Sequence, residues 1–146
     1  PVISSRVVVK LEDKKRMANR IERWEKIALE ACKQSNRSCI PEISEILSLN
    51  DSIKTNMALN SQLKIILWEK EEKTAFRDIL KKCDKDNINN ISFYVGPEGG
   101  LTEEEVDILV KKGNTPISLG PRVLRTETAA ISFLSIIMYE LGDIGG

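Results

Sequence analysis

Histidine is missing altogether from the 146 residues, and its absence removes every Ser-His or Cys-His nucleophile pair and every imidazole-ligated metal. Catalysis in such a chain has to run on carboxylates, arginine, lysine, backbone groups or a bound cofactor. Cysteine is scarce. Cys32, Cys39 and Cys83 are odd in number and lack C-x-x-C spacing, which argues against a disulfide framework and against a zinc site, so no metal is expected. An excess of charge of either sign is also lacking: 22 Lys and Arg balance 22 Asp and Glu, so the whole-molecule field gives no argument for nucleic acid. Long apolar runs are absent, since the one around Ile131 to Tyr139 contains Ser132 and Ser135 and falls short of a bilayer span. No secretory leader pattern opens the chain. A soluble, cytoplasmic protein without a membrane partner is expected. Neither G-x-x-x-x-G-K-[ST] nor G-x-G-x-x-G occurs, which disfavours a P-loop hydrolase or a dinucleotide-binding enzyme.

What is present reads as one α/β domain. The 41% hydrophobic content and the length allow a real core, and no repeat or linker divides the chain. Val7-Val8-Val9 has the β-branched composition of a short strand. Met17, Ile21, Trp24, Ile27, Ala28, Ala31 and Cys32 recur at spacings of three and four, predicting an amphipathic helix over 15–34. A short helix is expected around 43–49. Leu63 to Trp68 is an apolar strand of the kind buried on both faces of a parallel sheet, followed by a helix over 74–82. Ile91 to Val95 is the next strand. Thr102 with Glu105 three residues on forms a capping box for a helix ending near Gly113. Ile117 to Leu119 is the last strand, and an apolar helix over 127–141 closes the chain. Alternating strands and helices imply parallel crossovers and a three-layer α/β sandwich.

Charge is unevenly spread even though it cancels overall. From Arg6 to Arg37 there are ten basic residues against five acidic ones, and Arg16, Arg20 and Arg23 share a helical face. A solvated helix surface is the commoner meaning of such a run, and an RNA-facing patch is the other.

Two loops follow strands directly: Gly96-Pro97-Glu98-Gly99-Gly100 after Val95, and Gly120-Pro121-Arg122-Val123-Leu124-Arg125-Thr126 after Leu119. In an open α/β sheet the carboxyl edge is where ligands bind. The glycine pair allows positive φ and close approach of a ligand to the backbone, though a tight turn alone would also need glycine. A purely structural account makes Thr126 the N-cap of the last helix and Glu127 an acid in its first turn. That leaves Arg122 and Arg125 beside a helix N-terminus, where a cation is unfavourable unless an anion comes there. The two loops together imply a shared pocket for a small polar ligand.

Phe93 to Glu105 and Leu119 to Ala129 closely resemble the two signature segments of the RsmE family, the bacterial 16S rRNA uracil-N3 methyltransferases. Arg23-Trp24-Glu25-Lys26-Ile27-Ala28 and Glu30 to Arg37, followed by Pro41, resemble that family's helix and the segment after it. The resemblance runs from about Ser5 to Asp143. It implies a SPOUT methyltransferase, in which the α/β sheet is threaded into a C-terminal deep trefoil knot, a rare exception to unknotted topology. S-adenosylmethionine would sit bent in the knot, held by Leu67, by Gly96, Pro97, Gly99 and Gly100, and by Leu119, Gly120, Val123, Leu124, Arg125 and Thr126. The same resemblance implies a homodimer, with the last helix contributing Ile131, Leu134, Ile137, Met138 and Leu141 to the interface or simply to the core. It implies 16S rRNA of the small ribosomal subunit as partner. Family members carry a PUA-like β-barrel, then the first strand and helix of the knotted domain, ahead of the stretch that begins here near Pro1. The expectation is therefore that residues 1–146 form a SPOUT methyltransferase domain truncated at its N-terminus.

Methylation at uracil N3 requires loss of the N3 proton before or during attack on the sulfonium methyl group. A protein contributes by aligning the reactants and stabilising the uridinate. Glu98 is the candidate proton acceptor, and Arg125 or Arg122 the candidate to stabilise charge on a uracil oxygen or to orient the RNA backbone. The rival readings are a SPOUT RNA methyltransferase acting on another nucleotide and a non-catalytic RNA-binding module using the basic helix.

Overall fold

The computed structural model describes residues 2–3, 14–58, 60–142 and 144–145. The strand expected at Val7 to Val9 lies outside them. The described elements run β1 (Val2–Ile3), α1 (Lys14–Gln34), β2 (Leu47–Ser48), α2 (Leu49–Ala58), β3 (Leu63–Leu67), α3 (Phe76–Leu80), β4 (Ile91–Val95), α4 (Glu103–Lys111), β5 (Thr115–Ile117) and α5 (Thr126–Leu141). β1 and β2 pair in parallel. The principal sheet has three parallel strands in the order β4-β3-β5.

The centre strand β3 explains the layering. Its side chains alternate between two faces, and both faces are covered. Leu63, Ile65 and Leu67 pack with Phe76 and Leu80 of α3 and with Phe133 and Ile137 of α5. Ile66 points the other way, into a cluster with Ile53 of α2, Leu101, and Val106 and Leu109 of α4. The result is helices, sheet, helices. Phe133 is fully buried and meets Phe76 and Phe93 edge-on, at centroid distances of 4.8 and 5.1 Å, the arrangement that aromatic quadrupoles favour.

Several boundaries differ from the sequence expectation for local reasons. The helix expected over 43–49 is instead α2, beginning at Leu49. Ser48 caps it: its Oγ accepts the Asp51 amide at 3.2 Å and donates to Asp51 Oδ2 at 2.7 Å, while Leu47 and Ser48 pair with β1. The last strand spans 115–117 rather than 117–119. Pro116 is tolerated there because β5 is an edge strand and needs no amide on its outer side. α3 is shorter than the 74–82 expectation because Thr74 and Ala75 are engaged elsewhere: Ser118 N donates to Thr74 O at 2.9 Å, and Ala75 forms an isolated parallel bridge with Ser118.

The helix termini of α4 agree with the sequence. Glu105 N donates to Thr102 Oγ1 at 3.2 Å while Thr102 N donates to Glu105 Oε2 at 2.9 Å, completing the capping box. At the other end Asn114 N bonds Leu109 O and Gly113 N bonds Val110 O, a Schellman closure. Replacing Thr102 by Ala is expected to destabilise the domain by about 1 kcal/mol, the usual worth of an N-cap. Phe133→Ala should cost roughly 3–5 kcal/mol, because it empties the centre of the larger cluster. Urea unfolding followed by circular dichroism measures both, and equal losses would contradict this assignment of weight.

Candidate functional site

The parallel register aligns the carboxyl ends of all three strands. Leu67 pairs with Val95 on one side and with Ile117 on the other. The chain therefore leaves the sheet three times at one edge, through 68–75, 96–102 and 118–125. Between these loops lies a cleft of about 1010 Å³.

Every site residue expected from the sequence lines this cleft. Leu67, Gly96, Pro97, Glu98, Gly99 and Gly100 do so from the first two strand ends, and Leu119, Gly120, Arg122, Val123, Leu124, Arg125 and Thr126 from the third. Gly96 is buried, and a Cβ on it would come within 2.9 Å of the Leu101 amide nitrogen, so the turn can close only around glycine. Of the adjacent glycines, Gly100 takes the positive φ, +71°, and Gly100 N closes the turn onto Pro97 O at 2.8 Å. Glu98, Arg122 and Arg125 are exposed at the rim. Val123 is 79% exposed despite being apolar.

Thr126 corrects one expectation. It is the first residue of α5, not its cap. The cap position belongs to Arg125, whose side chain makes no capping bond. Thr126 Oγ1 instead donates to Gly96 O at 3.0 Å, tying the second loop to the first. The helix amides are uncapped by a side chain, and Arg122 and Arg125 stand alongside them with Glu127 in the first turn, so an anionic group would meet backbone donors and two cations there against one carboxylate.

A family model described as an RNA methyltransferase domain matches residues 1–138. The chain belongs to this family. Ribosomal RNA small subunit methyltransferase E of Bacillus subtilis (strain 168) is 39% identical over 144 residues, covering 96% of this chain and 54% of that protein. Its namesake from Aquifex aeolicus (strain VF5) is 36% identical over 138 residues, covering 94% and 55%. Among solved structures, a Legionella pneumophila protein described as a methyltransferase in complex with S-adenosylmethionine superposes with a TM-score of 0.82 at 37% identity, over 95% of this chain and 53% of that one. The ribosomal RNA small subunit methyltransferase E from Neisseria gonorrhoeae, bound to S-adenosylmethionine, gives 0.74 at 33%, over 94% and 53%. The chain spans about half the length of these relatives. The resemblance read from the two loops is thus borne out as a matter of family.

Sequence reasoning overlooked the third wall of this RNA methyltransferase domain. Trp68, Glu69, Glu71, Glu72, Lys73 and Ala75 also line the cleft. The signal was available, since 68–75 follows a parallel strand just as the other two loops do. Glu71 shapes this wall: its Oε1 accepts the Lys73 amide at 2.8 Å and the Thr74 amide at 2.9 Å. Lys70 Nζ reaches Glu103 Oε1 at 2.7 Å, joining the wall to the start of α4. Among the described residues no group of His, Cys, Asp and Glu is arranged to hold a metal, and no helix is long and apolar enough to cross a membrane.

The Lys73 amide above all, with the Thr74 amide and hydroxyl added, holds the Glu71 carboxyl below the ordinary glutamate value, outweighing burial, which pushes the other way. A carboxylate with a lowered folded-state pKa adds stability above its unfolded value and loses it as pH falls through the folded one. The 68–75 wall should therefore hold at neutral pH and loosen in acid. In an NMR titration the Lys73 and Thr74 amide shifts are expected to move together with a midpoint below that of a free glutamate. Glu71→Gln should abolish this shared step; its survival would mean that another group governs the loop.

Proposed function

We propose that this domain transfers a methyl group from S-adenosylmethionine to N3 of a uridine in 16S rRNA of the small ribosomal subunit, acting in the cytoplasm as a homodimer. The observation that carries the reading is the convergence of the two loops that resemble the RsmE signature segments on one cleft, at strand ends in register. The names of the relatives support it, because they are ribosomal RNA methyltransferases and two solved neighbours hold this cofactor.

The residues present fit the cofactor. The cleft is large enough for a nucleoside-sized ligand, the glycine turn at 96–100 forms part of its lining, and Leu67, Leu119, Val123 and Leu124 offer apolar surface beside it. Leu67, Gly96, Pro97, Gly99, Gly100, Leu119, Gly120, Val123, Leu124, Arg125 and Thr126 would hold it. S-adenosylmethionine supplies a methyl group on a sulfonium leaving group. Glu98 takes the N3 proton as the nitrogen attacks, which its place at the rim allows. Arg125 or Arg122 stabilises the negative charge on a uracil oxygen or orients the RNA backbone. Two contacts favour the knotted topology: Ser118 runs beside Thr74 and Ala75, and Thr126 bonds Gly96 O across the strand order. The segment between them thus passes from the β5 edge, along the 68–75 loop, to the β4 side.

The last helix favours the dimer. Ile137 is core, but Ile131 and Leu134 face outward, 67% and 49% exposed, beside Tyr139 at 67%. A helix apolar on both faces is normally covered on both.

Calorimetric titration with S-adenosylmethionine tests the site. Gly99→Val and Leu124→Arg should each abolish saturable binding seen with the parent chain. Glu98→Gln should retain cofactor affinity yet lose at least about a hundredfold in methyl transfer to 16S rRNA, the usual span of general-base catalysis; full activity would remove Glu98 as the base. In sedimentation equilibrium the double variant Ile131→Asp, Leu134→Asp should shift a parent dimer to monomer while leaving the helical signal intact. A parent that sediments as monomer would refute the dimer.

A further inference from the structure

The third wall contains a carboxylate placed with unusual closeness to the glycine turn. Glu69 stands two residues beyond Leu67, at the carboxyl end of the centre strand. A Cβ built on Gly100 would run into its carboxylate, with Cδ at 3.0 Å and Oε2 at 3.2 Å. The missing side chain of Gly100, at φ +71°, is therefore what lets the Glu69 carboxylate lie against the turn. Both residues line the cleft. The flanking residues fix the backbone around Glu69: Lys70 is paired to Glu103 on α4, and Glu71 is occupied by the amides of its own loop.

We propose that Glu69 is the ribose anchor of the cofactor site, its two oxygens accepting the 2′- and 3′-hydroxyls. The proposal rests on the cofactor reading given above. A carboxylate offers acceptors only, two oxygens side by side. Of the donors on S-adenosylmethionine, only the ribose diol presents two hydroxyls at matching separation. An acid beyond a strand end serves ribose in the same way in doubly wound dinucleotide folds, where the ligand likewise lies at the carboxyl edge. Gly100 is then a specificity element at one remove, since it makes room for the acid that reads the sugar.

The test uses the full chain, with S-adenosylhomocysteine and its 2′,3′-dideoxy form as probes in calorimetric titration. The parent should bind the dideoxy form about tenfold more weakly, the worth of a charge-assisted hydrogen bond. Glu69→Gln and Glu69→Ala should weaken binding of S-adenosylhomocysteine by a similar factor and no longer distinguish the two probes, with circular dichroism spectra unchanged. Variants that still distinguish the probes as the parent does, or that bind S-adenosylhomocysteine as tightly, would overturn the assignment. A parent that binds neither probe would overturn the cofactor reading itself, and the ribose anchor with it.

Discussion

The row formed by Leu67, Val95 and Ile117 is the constraint from which the site follows. Parallel pairing of β3 with both neighbours brings three strand ends level. Each strand must then turn away at the same edge, because a parallel connection has to leave the sheet and return over one of its faces. Three loops are thereby forced into one neighbourhood, although 68–75 and 118–125 are some fifty residues apart in sequence. A one-residue slip of β3 would turn Ile66 toward Phe133 and expose the opposite cluster, so burial on both faces fixes the register as firmly as hydrogen bonding does. The cleft is in this sense a by-product of the core.

Phe133 and Thr126 carry that constraint into the last helix. Phe133 anchors α5 beneath the sheet against Phe76 and Phe93, and Thr126 fixes its first turn to Gly96 O. The N-terminus of α5 cannot drift from the Gly96 turn without breaking one or the other. The Lys85–Glu140 ion pair, 2.7 Å long, holds the far end. Arg122 and Arg125 are consequently delivered to the cleft by a helix whose position is set elsewhere.

Those parts of the fold governed by a strong local pattern were legible in the sequence. The 3.6-residue rhythm from Met17 to Cys32 and the reciprocal Thr102–Glu105 signal both appear where they were read. The glycine-rich loops facing the cleft were legible for a different reason, because Gly-Pro pairs occur directly after two predicted strands, at 96–97 and 120–121. What escaped was decided by contacts distant in sequence. Ser118 draws Thr74 and Ala75 out of helical geometry, and β1 claims Leu47 and Ser48, so α3 and α2 start later than their own periodicity implies. Thr126 looks like a cap in isolation, but its hydroxyl is taken by a carbonyl thirty residues earlier. The 68–75 wall escaped because its charged residues resemble any solvated loop, and only the strand register makes them part of a site.

The charges around the cleft lean to opposite signs on two of its walls. Glu69, Glu71 and Glu72 stand with Lys73 on the wall after β3, whereas Arg122 and Arg125 stand with Glu127 around the start of α5. On the proposed reading, a methyl donor bearing a sulfonium and an ammonium is better matched by the wall with the acidic excess. RNA, a polyanion, is better matched by the arginines and the uncapped amides of α5. The zero net charge of the chain hides this uneven placement, because nearby charges, not the total, dominate the field at a short distance. On the proposed reading, the two reactants approach one cleft from walls that discriminate between them before any chemistry begins.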